Sequence, residues 1–301
     1  LPQGTNCVVI QEDVSLNGEI ITIEGPLENN NFVRNIGSDF NIDDIVQSSI
    51  RITPPIVSLL AAMNYLKIPV RKKPRVAIIA TGDELVLPGR KIPRNKIISS
   101  NSYGLAAMLE SFGAFPSILP IARDNIQDIQ LCLTTAMDYD LILTIGGASI
   151  GDYDLILSSG IKMGLKPKFH SVAMKPGKPL MAGKLNQTPL IALPGNPVSA
   201  MICCFIMVKP VIEKMLHLDS GETNCMLFAE LETGLKKNGP REHYLRAILS
   251  NQKQGLTVKP LERQDSSLIT ELSKANALIV HQPFATTLKT GQLVDVIPFF
   301  R

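Results

Sequence analysis

Tryptophan is absent from these 301 residues, aromatics make up only 5%, and the five cysteines form no C-x-x-C pair. With few rings to stack on bases and a net charge of only +3, nucleic acid is not an expected partner. Cys7, Cys132, Cys203, Cys204 and Cys225, with four scattered histidines, offer no zinc or haem spacing. A disulfide framework is out of keeping with a chain this long, so buried free thiols in a reducing cytoplasm are expected. No apolar run reaches the ~20 residues of a membrane span. The longest, Ala200 to Val208, stops at Lys209-Pro210 and reads as a buried helix. His217, His243 and His281 have no partner pattern and His170 reads as a surface strand position, which leaves Ser/His/Asp nucleophilic chemistry unsupported. No signal peptide is recognisable. The chain opens at Leu1-Pro2 without a methionine, and the expectation is a trimmed piece.

Charge is present but uneven. Residues 1–50 hold eight acids against one base, residues 66–100 hold nine bases against two acids, and residues 160–185 hold six lysines and no acid. A charge run is ordinarily a solvated face. The last of these coincides with glycine and proline turns, which points instead to an anion site. At 45% hydrophobic, the chain is long enough for two or three modest cores.

Arg75 to Ala80 (RVAIIA) is a buried-strand run ended by Thr81-Gly82. After Asn101, Leu105, Met108, Leu109 and Phe112 fall at helical spacing and Gly113 closes the helix. Ser117 to Ala122 reads as a strand. Ile126, Ile129, Leu133 and Met137 share one face of the next helix, and Asp140 to Ile145 is a strand ended by Gly146-Gly147. A helix is expected after Asp152, strands at 168–174 and 188–193, and a last helix capped by Asn196 with Pro197 in its first turn. Strands alternating with helices imply a three-layer α/β domain with a mostly parallel sheet, spanning 74–217. Beyond Leu218, alternating runs at 225–232, 243–250, 255–258, 277–281 and 293–299 predict a separate small all-β domain, barrel or sandwich and here read as a β-barrel, over 218–301. Ahead of these lie a β-rich fragment, 1–35, with strands at Cys7 to Gln11 and Glu19 to Glu24, and a linker, 36–73. Within that linker Asp43 to Leu66 reads as partly helical, interrupted by Pro54-Pro55.

Ligands on open α/β sheets collect at the carboxyl ends of strands, where the turns at 81–82, 146–147 and 194–195 fall. Lys175-Pro176-Gly177-Lys178-Pro179 sets two lysines beside a glycine turn, and Pro194-Gly195-Asn196-Pro197 opens a helix. Helix starts favour anions and lysines add full positive charge. Gly146, Gly147, Ser149 and Gly151 leave a strand for a helix, which suits a close approach to phosphate; plain turn chemistry with Asp152 as cap is the alternative. The acids Asp83, Glu84, Asp124 and Asp154 fall in or beside these turns, where a role in the site competes with plain local structure. Asp83 closing its turn and Asp124 capping a helix are the competing readings.

Thr81-Gly82-Asp83-Glu84-Leu85, the Gly146 to Asp154 run, KPGKP at 175–179 and PGNP at 194–197 together resemble the molybdopterin molybdenumtransferases, the family of bacterial MoeA and the gephyrin E domain. The resemblance covers nearly the whole chain. It implies insertion of molybdate into adenylylated molybdopterin with Mg²⁺ and loss of AMP, giving molybdenum cofactor, by a cytoplasmic homodimer. It implies Glu84, Asp124, Asp154 and Lys175 as catalytic, and Asp83, Glu84 and Asp154 at the metal. Lys178, Pro194, Gly195, Asn196, Pro197, Arg246 and Ser266 would bind pterin phosphate and oxyanion, with Ser267 a competing match for Ser266. Arg34 and Asp39 resemble a further Arg…Asp pair. Ser171 and Ala80 depart from the family's usual basic residue and serine. The family's opening segment is absent, so the polypeptide alone is expected to be inactive. The implied partners are the molybdopterin adenylyltransferase and recipient molybdoenzymes. Two rival readings remain: a molybdopterin adenylyltransferase, and a non-catalytic dimeric scaffold for a partner peptide. The decisive expectation is spatial: Glu84, Asp154, Lys175 and Arg246 should line one cleft.

Overall fold

The computed structural model describes residues 1–26, 32–146, 155–218 and 225–300, and the chain divides into two compact units, Leu1–Ser48 and Ser49–Arg301. The first holds a 3-10 turn at Gln11–Asp13 and a hairpin of β1 (Val14–Asn17) and β2 (Ile20–Ile23). Asn17 pairs with Ile20, leaving Gly18-Glu19 as a two-residue loop. The expected strand at Cys7 to Gln11 is therefore replaced by one starting at Val14, because the Asn17-Gly18 turn sets where the hairpin folds back.

In the second unit α1 (Pro54–Ala62) opens on the proline pair expected to interrupt it. Both prolines sit in the first turn, where N–H groups have no helical acceptor to lose. The chain then runs through β3 (Arg75–Ala80), β4 (Leu85–Val86), β5 (Ile97–Ile98), α2 (Asn101–Ser111), β6 (Phe115–Ile118), α3 (Ile126–Ala136), β7 (Leu141–Ile145) and α4 (Leu155–Lys162). Next come β8 (Leu165–Phe169), β9 (Met174–Lys175), β10 (Met181–Leu185), β11 (Thr188–Leu193), α5 (Pro197–Cys203), a π-helical turn at Cys204–Val208 and α6 (Lys209–Met215). The π turn lies just before Pro210, which has no N–H to give an α-helical acceptor.

The central sheet has the order β6-β3-β7-β11-β10-β8. Its first four strands are parallel, and β10 and β8 extend it antiparallel. β3 and β7 are buried on both faces beyond Arg75, as a parallel sheet between helical layers requires. Val76, Ile78 and Leu143 pack toward Leu105 and Leu109 of α2 and the helix from Pro197. Ala77, Ile79 and Ile142 pack toward Ile129 and Leu133 of α3 and Ile156 of α4. β6 ends at Ile118, short of the expected Ala122. Leu119 N–H still donates to the Ile78 carbonyl (2.9 Å), but the next donor to β3 is Ala122, to the Ala80 carbonyl (3.0 Å), one residue out of step, and a Thr81–Ala122 bridge follows. The stretch expected as one strand, 168–174, is divided between two sheets: β8 is an exposed, lysine-bearing edge, and β9 pairs elsewhere.

The last region holds β12 (Leu227–Leu231), β13 (Glu242–Gln252), β14 (Gly255–Pro260), α7 (Ile269–Leu272), β15 (Ala277–His281) and β16 (Leu293–Pro298). The order β14-β12-β16-β15-β13, completed by a β13–β14 pairing, closes a five-stranded barrel. β9 lies parallel beside the start of β13. Leu245, Ala247, Ile279, Val294 and Val296 fill the barrel. The opposite faces of these strands, with Tyr244, Leu278, Val280 and Ile297, join the core that runs through α2 and α5. Barrel and α/β layers are therefore fused through apolar packing.

Candidate functional site

β3, β7 and β11 end side by side. Thr81 N–H donates to the Ile145 carbonyl (3.0 Å) and Gly146 N–H to that of Leu193 (3.2 Å), so the three turns leave the sheet as one rim. They bound a cavity of about 690 Å³ whose walls include Thr81, Glu84, Gly146, Pro194, Gly195, Asn196 and Pro197. A second cavity of about 360 Å³ shares Thr81, Glu84 and Gly146 and adds Asp124. Glu84 is thus the carboxylate common to both. Gly82 sits at φ +148°, and a Cβ there would fall 2.7 Å from both Glu84 carboxylate oxygens. Glycine is what lets the acid fold back over its own turn.

The other two described acids of this cluster are tied to each other's backbone. Asp83 N–H donates to Asp124 Oδ2 (3.2 Å) and Asp124 N–H to Asp83 Oδ1 (3.3 Å). The exchange joins the turn after β3 to the segment entering α3 and leaves each acid one further oxygen. Lys96 Nζ, just ahead of β5, donates to the Asp83 carbonyl, just ahead of the parallel β4.

Asn196 is the N-cap of α5 in extended conformation, yet its side chain makes no cap bond. Its Nδ2 donates instead to Ser266 Oγ (3.1 Å), while Val198 N–H donates to the Ser266 carbonyl (3.1 Å). The segment between β14 and α7 is therefore docked on the PGNP turn, and Ser267, next to Ser266, lines the larger cavity. Ser267 donates to Asp265 Oδ1 through both its hydroxyl (2.6 Å) and its backbone N–H (2.8 Å). Those bonds hold the Asp265 carboxyl below the usual carboxylate range.

Arg246 is not on the cavity wall. It is 1% exposed, and its fork donates to the carbonyls of Asp265 (2.8 Å) and Arg263 (3.0 Å). Gln264 brackets the same residue, accepting from its backbone N–H (3.0 Å) and donating to its carbonyl (2.9 Å). In this structure Arg246 braces the loop that presents Ser266 and Ser267. Burial draws its guanidinium pKa down, against the opposing fields of Asp265 and Glu271.

Lys175 and Lys178 are exposed and likewise absent from the wall, to which the KPGKP turn contributes Pro179. The turn itself is closed by Val172 N–H donating to the Lys178 carbonyl (3.1 Å). Of the four residues expected to meet in one cleft, the described structure sets Glu84 in it and Lys175 and Arg246 outside. Gly147, Ser149, Gly151, Asp152 and Asp154 lie outside the described residues. Arg34 and Asp39 belong to the first unit, where both are exposed. Sequence reasoning missed Ser99, Ser100, Asn101 and Ser199, all on the wall. Asn101 Nδ2 donates to the Gly195 carbonyl (2.8 Å), tying the start of α2 to the PGNP turn. The Ser-Ser-Asn sequence ahead of an apolar helix was the available signal. Among the described residues no three His, Cys, Asp or Glu side chains gather to hold a metal.

A cavity outside the carboxyl ends of an open, mainly parallel sheet, edged by the starts of α2 and α5, defines an α/β protein of the class that takes its ligands at the strand ends. Residues 77–214 match the family described as "Probable molybdopterin binding domain", and residues 229–299 match "MoeA C-terminal region (domain IV)". The molybdopterin molybdenumtransferase of Haemophilus influenzae is 31% identical over 304 residues, covering 99% of this chain and 75% of that protein. That of Bacillus subtilis is 29% identical, covering 99% and 70%. A Pyrococcus horikoshii molybdopterin biosynthesis moeA protein superposes with a TM-score of 0.79 at 26% identity, over 98% of this chain and 72% of that one. The chain belongs to the molybdopterin molybdenumtransferase family.

Proposed function

We infer that this chain inserts molybdate into adenylylated molybdopterin with release of AMP. The observation that carries the reading is the single rim that the TGDEL turn, Gly146 and the PGNP turn form around Glu84. Its volume of about 690 Å³ suits a ligand of cofactor size. Free N–H groups at the start of α2, with the flanking Ser99, Ser100 and Asn101, supply donors to phosphate. Lys175 and Lys178, on a turn whose Pro179 reaches the wall, are the residues proposed to neutralise oxyanion charge. Asp154, Ser149 and the glycines beside it belong to the same proposal on the strength of the resemblance.

Mg²⁺ fits this site in one form. With no cluster of three ligands among the described residues, the ion would be shared between Glu84, a free oxygen of Asp124 or Asp83, and the substrate's phosphates, its usual mode. It would supply charge neutralisation; the chain's own groups would orient the two anions. A cytoplasmic homodimer is part of the proposal, and a second subunit is the route by which Lys175 could reach a cleft that its own chain does not bring it to. Among the described residues no helix is long and apolar enough to cross a membrane.

The test is AMP release from adenylylated molybdopterin, with the full-length protein alongside. Release should require molybdate and Mg²⁺ and fall about 100-fold in Glu84→Gln. Adenylylated product formed from ATP and molybdopterin without molybdate would overturn the reading in favour of an adenylyltransferase. A folded chain that binds neither substrate would leave the peptide-binding scaffold.

A further inference from the structure

β9, β13 and β15 place three nitrogen-bearing side chains in one row. His243 of β13 is paired in register with Lys175 of β9 on one side and with His281 of β15 on the other. Residues directly opposite on adjacent strands point to the same face, with Cβ atoms ~5 Å apart. That face is the inner one: Leu245 and Ala247 follow His243 at every second position, Ile279 and Ala277 precede His281, and all four belong to the barrel core. The row therefore stands at the mouth of the barrel.

One of its polar atoms lacks a partner. His281 is 4% exposed and its Nε2 has no hydrogen bond. A buried polar nitrogen without a partner is costly and calls for an explanation. The strands are clamped around it: Asn238 Nδ2 lies 2.8 Å from each of the carbonyls of Arg241, His281 and Gln282 and shares its two hydrogens among them. No carboxylate shares the row. Glu242 points to the other face of β13, where it accepts from the Tyr244 hydroxyl. The ligand's sign follows from the neighbours: two imidazoles alone suit a transition metal, but Lys175 and Arg241 beside them oppose a cation and favour an anion.

We propose that Lys175, His243 and His281 form a subsite for a small tetrahedral oxyanion at the barrel mouth, with the two imidazoles as donors that nothing so far assigns. The assignment rests on the reading above for Lys175 as an oxyanion-binding residue and deepens it by adding the two imidazoles. Burial foremost, then the fields of Lys175, His281, Arg241 and Arg246, hold the His243 imidazole neutral down to about 4. An anion seated in the row would reverse that field and draw a proton onto the ring.

The experiment is calorimetric titration of the intact chain with inorganic phosphate and, separately, with molybdate in a low-salt chloride buffer. It is paired with histidine ring NMR of the unsubstituted protein. Both anions should bind, molybdate more tightly if the site serves the transferred metal and equally if it serves phosphate. His281→Leu, which fills the barrel mouth without a donor, and His243→Gln should each weaken binding about tenfold. The His243 ring signal should titrate at higher pH with anion present. Absence of binding, or binding with both ring signals unmoved, would overturn the subsite whatever the variants do. Binding as expected in a chain that releases no AMP would uphold it and count only against the proposed activity.

Discussion

Gly177 shows how a single missing side chain sets the KPGKP turn. It is buried at φ +110°, and a Cβ would land 2.2 Å from Cys203 Sγ and 3.5 Å from Met174 Sδ. Cys203 sits in α5 with its thiol pushed up to about 12 by burial, so it is a packed, un-ionised group and not a nucleophile. Gly177→Ala combines a strained backbone with overpacking, and should cost about 2–4 kcal/mol in urea unfolding. Cys203→Ala in the same chain should recover part of that loss; strict additivity of the two would show that the close approach is not the cause. His243 gives the residue scale a pH signature. Folded, it stays neutral to about 4, through burial and the fields of Lys175, His281, Arg241 and Arg246. Unfolded, it takes a proton near 6.5, so the unfolded chain binds more protons across that window and stability falls as pH falls through it. The urea midpoint should drop between pH 7 and pH 4.5, less steeply in His243→Gln; equal slopes would remove His243 as the source.

At the scale of elements, helix starts are where local sequence speaks most directly. Asn125 is extended and its side chain accepts from Asp128 N–H at 2.9 Å, closing the first turn of α3. Asn125→Ala should cost about 1 kcal/mol, measured by thermal unfolding, with Asn125→Ser retaining most of the stability. An unchanged melting temperature in the alanine variant would deny the cap its role. Elements of this kind were legible beforehand: RVAIIA is β3 residue for residue, and the apolar spacing from Asn101 marks α2. The five runs after Leu218 became the five barrel strands. What escaped was set by distant partners. β9 is two residues long and exists only because Glu242 and His243 lie beside it. β8 and β10 are antiparallel additions whose direction no local pattern specifies. The same limit applies to the cleft. TGDEL and PGNP announce themselves as turns, and both reach the cavity wall. Whether a lysine at 175 or an arginine at 246 points into it depends on strand register and on carbonyls at 263 and 265, which spacing along the chain does not encode.

Across the larger unit, Phe205 decides whether barrel and α/β layers behave as one body. It lies in the π turn between α5 and α6, 5% exposed. Its ring meets Phe299 edge-on at 4.9 Å between centroids, Phe300 at 5.7 Å and Phe112 at 6.2 Å. Phe112 follows α2 and Phe299 follows β16, so one side chain joins the first helix of the α/β layers to the last strand of the barrel. Two bodies connected only by a linker would melt separately; bodies sharing a buried aromatic cluster lose it together. Residues 49–301 should therefore unfold in one transition by calorimetry and by far-UV dichroism alike. Phe205→Ala, which empties the cluster, should lower that transition by about 3–5 kcal/mol without splitting it. Phe205→Leu, which keeps most of the volume, should cost less and folds as a control should the alanine chain aggregate. Two resolved transitions in the unsubstituted protein, or a shift confined to one of two in Phe205→Leu, would show the barrel to be thermodynamically separate. In that case the docking of Ser266 and Ser267 on the PGNP turn could not be held by the shared core, and the rim of the cavity would open and close with the barrel's own motion.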